Sequence, residues 1–378
     1  MSRFAGGQQV RRLLSRLPRE SVRWCSFGDY EADDSIPEYR GFIARDLHWR
    51  VVGTTLGYLY VNELQAKKMA ARMWEWLAPF RPEVLWVVPE MSAVYVARHL
   101  ADIGNLPIHA TIHDAPELSV EDFISPVYLP FYMKSIRKLL SRSDGLDFIS
   151  QELLDHTRDR YRLQEDCELL VTPPSLDPGH VRDVRTRGDG AIQKIGLCGT
   201  FRMSGERWAR FLGLLAQLAH KIEFVSFTHR DDVPPVDLPG NVSFRFLPYA
   251  ESESDVIKTF HEEDLDACYL GVWTDEERSV FGRTSLSSKI LMYTASATPL
   301  IIDAGEETVA WRLVNTCGGG VRMSGNDQHD LEQLKRIFDN ADGWRDMAVG
   351  SRELALTEFN LDQNANAFRE SLCKTASR

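Results

Sequence analysis

No apolar run in this chain approaches the roughly 20 residues that a bilayer-crossing helix needs. No short apolar stretch behind a basic start marks a secretory leader either. Cysteine is sparse: Cys25, Cys167, Cys198, Cys268, Cys317 and Cys373 include no Cys-x-x-Cys pair. That argues against a zinc site and a disulfide framework, and it fits free thiols in a reducing cytoplasm. Positive charge is in deficit, with a net charge of -11, which excludes a nucleic-acid partner held by a general basic field. Low-complexity tracts and short repeats are absent as well. What remains is a chain of 378 residues, 43% of them hydrophobic, long enough for two domains and rich enough for two cores.

Strand and helix patterns alternate throughout. In the first half, strands are expected at 22–27, 84–88, 108–112, 146–150 and 168–171. Helices are expected at 8–17, 62–78, 93–103, 128–141 and 152–162, the second with its apolar stripe at Leu64, Met69, Met73 and Leu77. Pro173, Pro174, Pro178 and Gly179 then interrupt the pattern. The second half repeats it, with strands at 194–198, 223–227, 242–246, 267–271, 300–302 and 320–322 and helices at 206–219, 253–261, 287–295, 307–314, 331–340 and 362–372. Such alternation specifies parallel sheets covered on both faces. The expected domains are 1–180 and 190–357, with a helix in 358–378 apolar enough to return to the first domain.

Residues 284–302 carry the most chemistry. Thr284, Ser285, Ser287 and Ser288 precede Lys289, a short helix, then Pro299 and a buried strand. Ser287 or Ser288 is expected to cap the helix, so that its N–H groups, its dipole and Lys289 offer an anion site. The pattern Lys289-x-x-Met292-Tyr293 followed by Ala297-x-Pro299 resembles the nucleotide-sugar signature of GT-B glycosyltransferases of family 4, the group 1-like enzymes. There a Lys-x-x-Glu-Tyr helix precedes Gly-x-Pro; Met292 replaces that glutamate, and Thr284 stands where many members carry another.

The resemblance extends along most of the chain. Gly6-Gly7 before a helix is similar to the family's glycine loop. A strand should precede that loop; either it is missing, from a truncated start, or another element takes its slot. Residues 144–150, 171–177 and 195–201 parallel a family strand, the interdomain linker and the turn that opens the second domain. The implied fold is α/β: GT-B, two Rossmann-like parallel-sheet domains facing an interdomain cleft.

The resemblance also implies site residues. Gly199 and Thr200 lie in the opening turn. Arg202 and Arg207 fall where the family grips diphosphate, a task that suits the guanidinium fork. Tyr249 occupies the loop that receives the nucleotide base. His113 and Asp114 end an apolar strand, where ligands of open α/β sheets bind, and His113 parallels the family's cleft histidine. Asp264-Leu265-Asp266 invites a metal reading, but it precedes a strand and GT-B enzymes generally need no bound metal, so no metal or cofactor is expected. Lys134, Arg137, Lys138 and Arg142, with Arg11, Arg12 and Arg16, raise peripheral contact with the inner face of a membrane; a solvated helix face is the simpler account.

The implied activity is transfer of a sugar, with retention, from a nucleotide-diphosphate sugar to a glycan, lipid-linked or small-molecule acceptor, as in polysaccharide biosynthesis. The alternative is a non-catalytic binding or partner subunit on the same scaffold, because a thioether cannot accept the hydrogen bonds that a glutamate accepts from a ribose.

Overall fold

A computed structural model describes residues 5–27, 39–42, 54–90, 92–118, 126–187, 190, 192–201, 203–228, 230–248, 250, 252–272 and 279–378. The helices are α1 (Ala5–Ser15), α2 (Thr55–Leu59), α3 (Ala66–Leu77), α4 (Ala93–Gly104), α5 (Leu129–Leu140), α6 (Gln151–Arg160) and α7 (Gly205–Leu215). They continue as α8 (Glu253–Glu262), α9 (Ser279–Thr284), α10 (Lys289–Ala295), α11 (Val309–Thr316), α12 (Asp327–Phe338), α13 (Ala341–Leu356) and α14 (Leu361–Ala376). The first six strands are β1 (Trp24–Phe27), β2 (Tyr39–Phe42), β3 (Leu85–Val87), β4 (Ile108–Ile112), β5 (Gly145–Phe148) and β6 (Glu168–Val171). The rest are β7 (Ile192–Leu197), β8 (Lys221–Ser226), β9 (Val242–Phe246), β10 (Ala267–Gly271), β11 (Leu300–Asp303) and β12 (Gly320–Arg322).

Two compact units result. One comprises residues 1–173 together with 361–378, the other residues 174–360. In the first, β3-β4-β5-β6 form a parallel sheet in sequence order, and β1 and β2 form a separate parallel pair. Helix α4 packs on β3 and against α5, and α6 packs on β5. Helix α14 covers the face that carries His109, Thr111 and Asp147. His109 Nδ1 lies 3.0 Å from Thr375 Oγ1, His109 Nε2 lies 3.1 Å from Asp147 Oδ1, and Phe368 packs on His109 and Trp86. Helix α1 joins this layer through Leu13, which clusters with Ala365 and Phe368.

Two expectations fail in this unit, and a third feature, the arginines of α1, bears on the question of a basic face. Gly6 and Gly7 lie inside the first turn of α1 and form no loop. Leu64 belongs to no apolar stripe facing the core, for it is 65% exposed; a π-helical turn at Tyr60–Gln65 shifts the phase and turns Asn62 inward instead. Arginines of α1 present no free basic face: burial lowers the Arg12 pKa to about 10, and Arg16 pairs with Asp362 at 2.8 Å.

In the second unit the strand order is β12-β11-β10-β7-β8-β9, all parallel. Counted from its own first strand this is 6-5-4-1-2-3, the doubly wound order, and the direction of winding reverses between β7 and β10. Its core packs Trp208, Phe211, Phe224 and Tyr269 with Trp344 and Met347 of α13. Asp266 is occupied by Arg187 at 3.2 Å and by the Lys194 N–H at 2.8 Å, so it braces the entry to β10.

Candidate functional site

The reversal point between β7 and β10 is where an open α/β sheet offers a crevice at its carboxyl edge. A small pocket lies there, lined among others by Cys198, Phe201, Met203, Tyr269, Lys289 and Tyr293. Each wall has a local cause. Two residues past the end of β7 comes Gly199, whose φ of 67° is the left-handed turn that glycine adopts without penalty. Thr228, at the end of β8, donates its hydroxyl to the Gly199 carbonyl at 2.9 Å and fixes the turn. A Cβ at position 199 would come within 3.0 Å of Lys289 Cε, so a glycine also makes room for the lysine.

Lys289 opens α10 and Tyr293 lies one helical turn later, on the same side. The Tyr293 hydroxyl accepts the Cys198 N–H at 3.0 Å, which pins α10 against the end of β7. That contact carries Lys289 over the Gly199 turn, where its ammonium donates to the Thr200 carbonyl. Both side chains beneath the lysine are neutral. Burial raises the Cys198 thiol to about 11, with Lys289 opposing, and drives the Tyr293 phenol well above its usual range. Lys289 thus joins the pocket lining above two side chains, the Cys198 thiol and the Tyr293 phenol, that stay neutral.

A second cation stands behind the opposite wall. Arg207, in the first turn of α7, pairs with Asp303 at the end of β11, and Asp303 also accepts the Tyr269 hydroxyl at 2.7 Å. Burial raises the Asp303 pKa, and Arg207 opposes the rise. Arg207 is therefore partnered by a carboxylate, where the sequence reading gave it to phosphate alone.

The remaining sequence candidates fall as follows. Gly199, Thr200 and Lys289 gather on this edge, and Met292 is buried within α10. Ser288 precedes α10 but makes no side-chain cap, and Ser287 lends its carbonyl to the Ile290 N–H, so the expected capping is corrected. Thr284 is buried and its hydroxyl bonds the Val280 carbonyl at 2.8 Å, inside α9. Arg202 and Tyr249 lie outside the described residues. His113 and Asp114 belong to the first unit, just past β4, and both His113 ring nitrogens are buried without a hydrogen-bond partner. The loop after them is tied by Glu117, which accepts from the Tyr161 hydroxyl at 2.9 Å and contacts His156 Nε2 at 2.8 Å.

Sequence reasoning missed Thr228, Tyr269 and Asp303, and it quoted Tyr293 within the motif without giving it a role. Tyr293 was marked by its four-residue distance from Lys289, and Asp303 by its place at the end of the run Leu300-Ile301-Ile302. The others carried no signal.

No protein-family model matches the chain, and no curated protein does. Solved structures do. HepE of Anabaena, in complex with UDP, superposes with a TM-score of 0.69 over 99% of this chain and 98% of its own, at 12% identity. The trehalose-6-phosphate synthase OtsA superposes with a TM-score of 0.62 over 99% and 95%, at 12% identity. The sucrose-phosphate synthase of Thermosynechococcus elongatus gives 0.57 over 82% and 77%, at 14% identity. With two parallel-sheet domains and these neighbours, the chain has the GT-B glycosyltransferase fold.

Proposed function

We propose that this protein transfers a sugar from a nucleoside-diphosphate sugar to a glycan, lipid-linked or small-molecule hydroxyl, with retention at the anomeric carbon. The observation that carries the reading is Lys289, fixed by Tyr293 over the Gly199 turn at the reversal point of the sheet. In this reading Lys289, Arg207 and Arg202 hold the diphosphate. Transfer breaks the bond from the anomeric carbon to the diphosphate oxygen, and the leaving diphosphate gains negative charge that these cations stabilise. His113 and Asp114 serve the acceptor side, and Tyr249 the base. The neighbours' complexes with UDP and UDP-glucose support a donor of that class. No metal or other cofactor enters the proposed step. Six free cysteines are consistent with a cytoplasmic site of action.

Calorimetric titration with a panel of nucleoside diphosphates tests the reading. Wild type is expected to bind at least one of them, and the double variant Arg202→Ala, Lys289→Ala to bind none while keeping its fold. Equal affinity of the two would leave the resemblance to scaffold alone. The second reading, a binding or partner subunit without turnover, is favoured by Met292 in the glutamate's place and by Thr284, whose hydroxyl is committed inside α9. Nucleotide binding with no hydrolysis or transfer of any sugar tried would decide for it.

A further inference from the structure

Large apolar side chains are exposed on the first unit at two places that adjoin. On α2 and the π-helical turn, Leu56, Tyr60 and Leu64 are 74%, 39% and 65% exposed and recur every four residues, along one side. At the start of α5, Val127 and Phe131 are 68% and 49% exposed, again four apart. A buried polar chain sets the two places side by side. Ser92 donates to Asn62 Oδ1 at 3.0 Å, Asn62 Nδ2 donates to the Tyr128 hydroxyl at 3.1 Å, and Tyr128 donates to Tyr95. The turn carrying Tyr60 and Leu64 is thereby held across the start of α4 against the residue that opens α5. Tyr128 in turn stacks on Phe131, with ring centroids 6.1 Å apart.

Behind this apolar rim both helices become basic. Exposed Lys67, Lys68 and Arg72 follow Leu64 on α3, and exposed Lys134, Arg137 and Lys138 follow Phe131 on α5. None of the six forms an ion pair among the described residues. Acidic residues on these elements are Glu63 and Glu75 alone, in a chain whose net charge is -11. A protein in acidic excess has thus gathered six cations beside five exposed large apolar side chains.

We propose that this surface docks on an anionic lipid bilayer, the apolar rim entering the acyl boundary while the two basic bands meet the headgroups. Apolar insertion alone would suit a protein partner equally well. Basic bands running back from the rim on both helices give the complement of a negatively charged plane, where each lysine or arginine adds attraction that salt weakens. The inference is independent of the transfer reading, since no residue of the pocket takes part.

Flotation of the full chain with lipid vesicles tests it. Wild type is expected to float with vesicles of phosphatidylcholine and phosphatidylglycerol at low salt, to release at high salt, and to stay behind with phosphatidylcholine alone. Leu64→Glu with Phe131→Glu, and separately Lys134→Gln with Lys138→Gln, should each weaken association by about tenfold or more. Both sets lie on exposed positions, and an unchanged melting curve confirms their folding. No flotation of wild type, or flotation of both variants equal to that of wild type, overturns the proposal. So does a dimer that the Leu64→Glu, Phe131→Glu variant converts to monomer, because the face would then belong to a second copy.

Discussion

At the residue scale the site depends on Lys289 and on the tyrosine that aims it. Removing the lysine's proposed contact to a diphosphate should cost roughly 1.5–3 kcal/mol, a loss of about ten- to a hundredfold in affinity. Lys289→Ala should show that loss in calorimetry with little change in melting temperature, because the side chain is only half-buried. Tyr293→Phe should behave differently. It leaves the buried Cys198 N–H without its acceptor, at about 1–3 kcal/mol, so both the melting temperature and nucleotide affinity should fall. Met292→Glu tests the ribose side: in a pocket that keeps the family's geometry it should tighten donor binding.

Asp303 gives a pH prediction. Its folded pKa is raised chiefly by burial, so the folded protein holds that proton more firmly than the unfolded chain. Its stability contribution is then largest in acid and declines as pH rises through the folded pKa. The melting temperature of Asp303→Asn relative to wild type should therefore be more favourable at neutral than at mildly acidic pH; the opposite trend would reverse the assignment. Lys289 was legible because a cation before a short helix has a direct chemical meaning. Asp303 and Tyr269 were not, because a strand-end acid acquires its partners only when β10 and β11 are set next to each other.

At the element scale, the strands of both sheets were legible from short apolar runs between turn residues, since a strand buried on both faces leaves little else it can be. Helix α13 was not. Its sequence carries Gly343 and Gly350, which lower helix propensity, yet Trp344, Met347, Ala348 and Leu354 bury one side of it. Gly350 is required by packing: a Cβ there would stand 2.0 Å from the Cys317 carbonyl oxygen. Gly350→Ala should thus destabilise by about 1–3 kcal/mol despite alanine's better propensity, visible as a shifted denaturant midpoint. The π-helical turn shows the same limit. A period read at 3.6 residues put Leu64 in the core, and one slower turn exposed it while burying Asn62.

At the scale of the whole molecule, residues far apart in sequence complete one sheet. Phe368 of α14 is fully buried, 4.7 Å from the Trp86 ring and 5.5 Å from His109, and belongs to the first unit with the strands at 85–171. Apolar residues near the C-terminus suggested such a return, but no pattern in sequence marked the face that receives it. His109 and Thr111 look like polar interruptions of a buried strand until Asp147 and Thr375 are placed beside them. Gly145 sits beneath this contact, and a Cβ there would come within 2.3 Å of Thr375 Oγ1 and 2.4 Å of His109 Nδ1. Phe368→Ala should remove about 3–5 kcal/mol through the cavity it leaves. Because the lost contacts are confined to one unit, the effect should be local. Hydrogen exchange should show protection falling in β3, β4 and β5 while β7, β8 and β10 keep theirs. A uniform loss across both sheets would mean that the two units unfold together, and the division of the core drawn here would not describe its stability.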